Sequence, residues 1–511
     1  MTSGVIGIIA AIVVYLGGML YIGWRFSKKM ETINEFYLGG RRLGPLAAAM
    51  SAEASDMSSW LLMGLPGVAY LTGVADAAWT AIGLAVGTYF NWLIVAKKLR
   101  VYTAKTDSIT VPEFFSNRYR DQKHILTMTA AIVIVVFFVP YTASGFAACG
   151  KLFSTLFNAD YHVAMIISAV VIIAYTAMGG FMAVSITDLI QSIVMTVALV
   201  VIMFFGIRSA GGMNAVMNNA RNLAGYLSLT KIHDAATGGA APYGAITILS
   251  TMAWGLGYFG MPHILLRFMA IEDENKLSIS RRVGTIWVII SMSVSIFIGI
   301  VGNAASANGA IASLQGSESE TVIVRFATLL ANNGFLAALV AGVVLAGILA
   351  STMSTADSQL LTASSAVSRD LFSDVLHIEM DAKKTLLVSR ITLVVIAFVG
   401  VVFAWDSTSS VFRIVSFAWA GFGASFGPVV LLALFWKRSN RQGALAGMIC
   451  GGLMIFIWKF LVRPIGGPLD IYELLPAFLI ALAMNVIVSL VTPEPSAEIV
   501  REFEEVTEET K

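Results

Sequence analysis

Long apolar runs separated by short polar stretches dominate the chain. A helix needs about 20 apolar residues to cross a bilayer. Thirteen segments meet that length: 4–24, 45–71, 74–96, 125–157, 161–178, 185–207, 243–270, 283–305, 335–366, 387–405, 410–436, 443–462 and 472–492. The pattern predicts an all-α polytopic membrane protein with 13 transmembrane helices. Arg25, Lys28 and Lys29 follow the first run rather than precede it. That is the reverse of a signal peptide, so the run reads as a retained helix with its N-terminus outside. On that orientation 25 of the 33 Lys and Arg fall on inside segments, as the positive-inside rule requires, and the C-terminus is cytoplasmic. Trp24, Trp405 and Trp436 fall at helix ends, where an aromatic belt belongs.

Two runs break the apolar pattern. The second, PLAAAMSAEASDMSSWLLMGLPGVAYL, carries Glu53, Asp56 and four serines between apolar flanks. The seventh, ITILSTMAWGLGYFGMPHILLRFMA, packs Gly255, Gly257, Gly260 and Pro262 into eight residues. Glycine is permissive and proline lacks a donor, so both runs predict discontinuous helices. Irregular backbone at membrane depth is tolerated only inside protein or around a cavity. Counted after the first helix, these are spans one and six of twelve. Paired interruptions in corresponding positions point to an inverted-repeat transporter with its site at the midplane.

Composition narrows the class. The chain is 57% hydrophobic and 13% charged, with a mean hydropathy of +0.81; soluble domains are about 45–50% apolar and about 25% charged. A net charge of +2 leaves no nucleic-acid footprint. Cys149 and Cys450 sit in apolar stretches and imply no disulfide framework. GASFG at 423–427 fits the nucleophile-elbow pattern, but that motif needs a strand-to-helix turn and this one lies in a membrane run. Gly443, Gly447 and Gly451 form a tandem GxxxG suited to close helix packing. The tail TPEPSAEIVREFEEVTEETK is acidic and polar, and reads as solvated.

A third polar cluster, LASTMSTADSQLLTASS at 349–365, puts Ser354 and Thr355 in an apolar helix. Helix–helix or back-bonding hydroxyls account for such residues in many membrane proteins. A second reading links them to span two. A monovalent cation such as sodium needs several neutral or singly charged oxygens. An unwound helix frees backbone carbonyls, and facing hydroxyls complete the set. An intramembrane carboxylate is a functional-site hypothesis by default, and Asp56 is the candidate.

The stretches SAEASDMSSWLLMGLPG, WGLGYFGMPHILLRFMA, LASTMSTADSQLL and WAGFGASFGPVVLLALFW, with YLGGRRLGP and FFVPYTASG, resemble the sodium/solute symporter family over nearly the whole chain. The likeness is strongest to its proline-transporting bacterial members. It implies a five-plus-five inverted-repeat fold and sodium-coupled L-proline uptake across the bacterial inner membrane, with no enzyme activity. The implied sodium site is the carbonyl regions of Ala54 and Met57 with Ser351, Ser354 and Thr355, and Asp56 adjacent. Ser55 and Ser58 flank Asp56. The implied proline pocket is Tyr141, Trp254, Tyr258 and Pro262, where aromatic faces suit a compact ring and a cationic nitrogen. Arg41 matches an arginine near the cytoplasmic mouth that influences coupling, and Asp188 a polar position at a cytoplasmic helix end. The family often has alanine at the Ser351 position and glycine at those of Glu53 and Ser59.

The expected organisation is an extra helix and loop over 1–44, a first repeat over 45–207 and an extracellular loop over 208–242. A second repeat over 243–436, two C-terminal helices over 437–492 and the acidic tail over 493–511 follow. The expected partners are L-proline, sodium and the lipid bilayer. Rival readings are a sodium- or proton-coupled symporter for another small amino acid or organic solute, a solute sensor, and an intramembrane enzyme. An organic anion favours extra cations in the pocket, and none lies beside Trp254 or Tyr258 in the sequence. A sensor usually needs a signalling domain, and only a short tail follows the last helix.

Overall fold

The computed structural model describes residues 3–27, 33–178, 180–378 and 380–511; Lys28 and Lys29 lie outside them. Among the described residues ten helices are long and apolar enough to cross a membrane. The predicted runs at 45–71 and 243–270 form interrupted helices instead, whereas 161–178 forms one helix over its whole length, Tyr161–Met178. Three long helices extend past their apolar runs: one path continues from Val74 to Lys105, another starts at Glu274, and a third continues to Val375.

The described residues are mostly helical, with one local exception in the structured 208–242 connection. It holds a helix, Met213–Asn222, and a two-stranded antiparallel hairpin, Lys231–Asp234 with Gly239–Pro242. Its turn is closed locally: the Asp234 carboxylate accepts from the Ala236 N–H and the Thr237 hydroxyl.

Burial sorts the helices into core and rim. In the helix Val411–Phe435, 83% of the apolar window is buried, against 22% for Gly4–Arg25 and for Arg441–Ile465. The rim helices turn Val14, Leu453 and Leu461 outward, as a lipid-facing surface allows. The tandem GxxxG is spent inside the chain. A Cβ on Gly447 would lie 2.9 Å from the Asn485 Cβ, and one on Gly451 2.2 Å from the Ala424 carbonyl oxygen. Ser425 of GASFG sits buried in mid-helix, not at a strand-to-helix turn.

The core helix 411–435 is anchored at both ends. At its start the buried Glu320 carboxylate accepts from the Val411 and Phe412 N–H groups, the Ser410 hydroxyl and Lys151 Nζ at 2.7 Å. This satisfies the orphan donors of the first turn and puts negative charge at the positive end of the helix dipole. At its end Arg118 Nε donates to the Ala433 carbonyl and Lys98 Nζ to that of Leu434.

The C-terminal tail is not a solvated coil. Ala497–Glu509 is a helix, N-capped by Ser496, with Ile499, Phe503 and Val506 buried. Those positions recur at helical spacing and form one apolar face, hidden in the sequence by the surrounding glutamates.

Candidate functional site

The second run breaks where its polar residues cluster. Pro45 opens a helix that ends at Asp56. Met57 departs from helical geometry at φ −74°, ψ 64°, and the chain resumes as a widened turn over Trp60–Gly64 and a helix over Leu65–Thr72. The break diverts two donors: the Ser58 N–H goes to the Asp56 carbonyl and the Leu61 N–H to that of Ser58. The carbonyls of Ala54 and Met57 thereby lose their usual partners four residues on.

The seventh run breaks as well. Helix Ala245–Met252 tightens into a 3-10 segment, Ala253–Gly260, and Pro262 opens a new helix to Ala270. Close approach, as much as flexibility, explains its glycines. A Cβ on Gly255 would lie 2.1 Å from the Gly83 carbonyl oxygen, and one on Gly257 1.9 Å from Trp419 Nε1.

Asp56 joins the two breaks. Its side chain is fully buried, and Oδ2 accepts from the Tyr258 hydroxyl at 2.5 Å. Its carbonyl accepts from Trp60 Nε1 at 3.1 Å and from the Tyr141 hydroxyl at 3.3 Å. Oδ1 has no hydrogen-bond partner among the described residues. An uncompensated polar atom buried this deeply is costly, so a cation beside it would be stabilised.

Across from this break the Ser354 hydroxyl donates to the Ala54 carbonyl at 2.8 Å. Thr355 and Ser351 bond back along their own helix, to the carbonyls of Ser351 and Ile348. Back-bonding uses a hydroxyl's one proton and leaves its lone pairs free. These oxygens therefore suit a small monovalent cation as neutral ligands. Ser55 also bonds back, to the Ala52 carbonyl, and Ser58 Oγ faces the Trp60 N–H at 3.4 Å.

The aromatic cluster is larger than the sequence indicated. The Trp254 ring lies 5.3 Å from Phe412 and from Tyr472, 6.0 Å from Trp60 and 6.2 Å from Trp419. Trp419 Nε1 donates to the Trp254 carbonyl, and its ring meets Tyr258 edge-on. Tyr141 and His263 meet edge-on beside it. Pro262 is buried and opens the helix that runs to Ala270. Trp60, Phe412, Trp419 and Tyr472 were not singled out in the sequence, because nothing local relates them to Trp254.

Asp188 is corrected. It lies about two turns inside the helix Phe181–Ser209, fully buried, rather than at an end. Its Oδ2 accepts from the Ser51 hydroxyl at 2.6 Å and from Arg267 Nη2 at 3.1 Å. Arg267 also donates to Ser51, Ser358 and the His263 carbonyl. Arg267 and the neighbouring Asp357 were missed. Their signal, ionisable residues inside apolar runs, was present in the stretches quoted above. Arg41 stands apart from the break. It donates to the carbonyls of Thr103, Ser108 and Met269 and to the Thr103 hydroxyl, and burial pushes its guanidinium down to about 10. Glu53 pairs with neutral donors: Oε1 accepts from the Thr88 hydroxyl at 2.9 Å and Trp92 Nε1 at 3.0 Å.

Two broken helices thus meet at a buried carboxylate, with hydroxyls on a third helix facing the break. A profile of the sodium:solute symporter family matches residues 36–451, and the chain belongs to that family. Its relatives include the sodium/proline symporter of Haemophilus influenzae, 41% identical over 96% of each chain. The sodium/proline symporter of Escherichia coli is 39% identical over 96% of this chain and 94% of its own. An osmoregulated proline transporter of Bacillus subtilis is 38% identical over 98% and 97%. A Na+-coupled sialic acid symporter shares the fold with a TM-score of 0.76 at 18% identity, covering 96% of this chain and 99% of that one. A nucleobase-cation-symport-1 family transporter does so at 0.56 and 13%, covering 92% and 98%.

Proposed function

We propose that this chain is a sodium-coupled secondary active symporter that imports L-proline by alternating access. The observation that carries the reading is the Asp56–Tyr258 contact between the two interrupted runs, two residues from the Ser354–Ala54 bond. The names of the relatives favour proline.

In this reading sodium lies against the carbonyls of Ala54 and Met57 and the oxygens of Ser351, Ser354 and Thr355, with Asp56 beside it. Proline packs within Tyr141, Trp254 and Tyr258, beside Pro262. Tyr258 touches Asp56, so an ion that shifts the carboxylate also reorients the pocket. Ser55 and Ser58 hold the break in shape, while Arg41 and Asp188 support coupling from their own helices.

The finer architecture belongs to the same reading. The three short or broken runs also cross the membrane, which gives 13 spans. Residues 45–207 and 243–436 form two inverted repeats of five spans, with 1–44, 208–242, 437–492 and 493–511 as additions. The chain lies in the bacterial inner membrane with its N-terminus outside and its C-terminus in the cytoplasm, as the basic residues suggest. It performs no catalysis.

Energetics set what one sodium can do. A charge moving through 100 mV supplies about 2.3 kcal/mol. A tenfold sodium gradient adds about 1.4, for roughly 3.7 kcal/mol and on the order of 500-fold accumulation of a neutral zwitterion. Coupling requires sodium to favour the outward, substrate-ready state.

Labelled L-proline uptake into vesicles, with sodium replaced by potassium or choline under an imposed potential, tests the reading. Uptake indifferent to sodium sinks the coupling. No proline uptake, with accumulation of another solute instead, sinks the substrate. Asp56→Asn is expected to abolish uptake or raise its sodium requirement.

A further inference from the structure

The C-terminal helix is held by two kinds of contact that respond differently to salt. Between Ala497 and Glu509 it carries six glutamates and one arginine. Four cations from the membrane domain meet this acidic segment. Lys105 pairs with Glu505 at 2.7 Å and Glu509 at 3.3 Å, and Arg120 with Glu502 at 2.5 Å and Glu498 at 3.4 Å. Lys437 pairs with Glu504 at 3.1 Å, and Arg438 with Glu494, just before the helix, at 3.4 Å. Most of these groups are partly or largely exposed, so each pair is weak and screened by salt. The buried apolar contacts are Ile499, Phe503 and Val506, with Val500 half-buried beside them. A helix of this length is marginal in water by itself.

Phe503 connects the tail to the transport core. Its ring lies 5.3 Å from the Arg118 guanidinium and 5.8 Å from Lys98 Nζ. These are the two cations that hold the Ala433 and Leu434 carbonyls, in the last turn of helix 411–435. That helix holds Trp419, whose Nε1 donates to the Trp254 carbonyl at 2.7 Å in the interrupted seventh run. The path from the tail to the candidate pocket is therefore continuous: Phe503, then Arg118 and Lys98, then helix 411–435, then Trp254.

We infer that the C-terminal helix is an ionic-strength-sensitive latch: docked, it restrains the end of helix 411–435, and screening of its glutamates releases it and speeds transport. Low ionic strength keeps Phe503 over Arg118 and Lys98. High ionic strength weakens the ion pairs and shifts the docked helix toward release. The rate consequence rests on the transport reading above; the release itself does not.

The test uses the full chain in lipid vesicles. Potassium chloride on the tail-bearing face is raised from about 0.01 to about 1 M, which shortens the Debye length from about 30 to about 3 Å. The osmotic difference is balanced with a neutral sugar. Amide hydrogen exchange is followed over residues 497–509 and over 432–436. Exchange in both segments is expected to rise together, about tenfold or more. In E498Q/E502Q/E505Q/E509Q it is expected to be fast already at low salt. Initial sodium-driven proline uptake is expected to rise severalfold with salt in the unaltered chain, and to be high and salt-independent in the variant. Phe503→Ala, which keeps every ion pair, should free 432–436 without needing salt. Tail exchange that stays slow at both salts overturns the latch, as does release of the tail with 432–436 still protected. Release of both segments with an unchanged uptake rate overturns it too. If no form takes up proline, the transport reading fails, and the two exchange measurements still decide whether the tail restrains the helix.

Discussion

The Asp56 carboxylate and the Tyr258 hydroxyl lie 2.5 Å apart, each fully buried, and each belongs to a different interrupted run. The candidate ion side and the candidate substrate side therefore share one hydrogen bond. A change in charge at Asp56 reaches Tyr258 without an intermediary.

Removing that hydroxyl isolates the consequence. In Tyr258→Phe, Asp56 loses its side-chain donor while Oδ1 already has none among the described residues. An unsatisfied buried group costs about 1–3 kcal/mol. Uptake is expected to fall by roughly 5- to 150-fold at fixed sodium, with a raised sodium requirement. A sodium titration of proline uptake in the variant measures this, and an unchanged curve would separate Tyr258 from coupling.

The hydroxyls on the facing helix are not equivalent. Ser354 crosses to Ala54, whereas Ser351 bonds only back to Ile348. Ser354→Ala is expected to raise the sodium concentration for half-maximal uptake by about tenfold, a loss of about 1.4 kcal/mol. Ser351→Ala should raise it less, because the backbone carbonyl at 351 remains. Equal effects in the two variants would count against the assignment of Ser354 as the bridging ligand.

Arg267 and Asp188 form a buried ion pair. Arg267→Met leaves a carboxylate uncompensated and is expected to destabilise the protein by about 3–5 kcal/mol, whereas the double variant R267M/D188N recovers part of the loss. Thermal unfolding in detergent reads both. A double variant less stable than the single one would show that the pair does not act as a unit.

Glycine at 257 is a spacing requirement. A Cβ there would meet Trp419 Nε1 at 1.9 Å, whereas one on Gly17 meets nothing within 4 Å. Gly257→Ala should cost about 1–3 kcal/mol by overpacking and impair uptake, and Gly17→Ala should be silent. Comparison of their unfolding temperatures decides the point.

Acid acts on the tail with a defined sign. Lys105 beside Glu505 holds its carboxyl below the usual range, which lies near about 4.3. Its contribution to docking is full above that ordinary value and is lost as pH falls through the lowered one. Protection of residues 497–509 from exchange should thus stay level from neutral pH to about 5 and drop below about 4. A drop between pH 7 and 5 would contradict it.

The membrane helices were legible because a span must write about 20 apolar residues into consecutive positions. Both breaks were legible because Gly, Pro and clustered polar residues cannot be hidden there. The four added rings around Trp254 were not legible, since Trp60, Phe412, Trp419 and Tyr472 are scattered over more than 400 positions. Asp188 was misplaced for the same reason: Arg267, its partner, is 79 residues away. The tail misled because glutamate reads as solvated until the cations that meet it are known. Two of those cations, Lys105 and Arg120, are about 380 to 400 residues earlier.

Helix 411–435 carries a buried carboxylate at one tip and two cations at the other. Fastened this way it resists sliding along its own axis, because a shift of one residue would strip Glu320 or Arg118 of its bonds. Tilting about either tip breaks far fewer of them. A tilt of this helix would be passed to the interrupted seventh run through the Trp419–Trp254 contact.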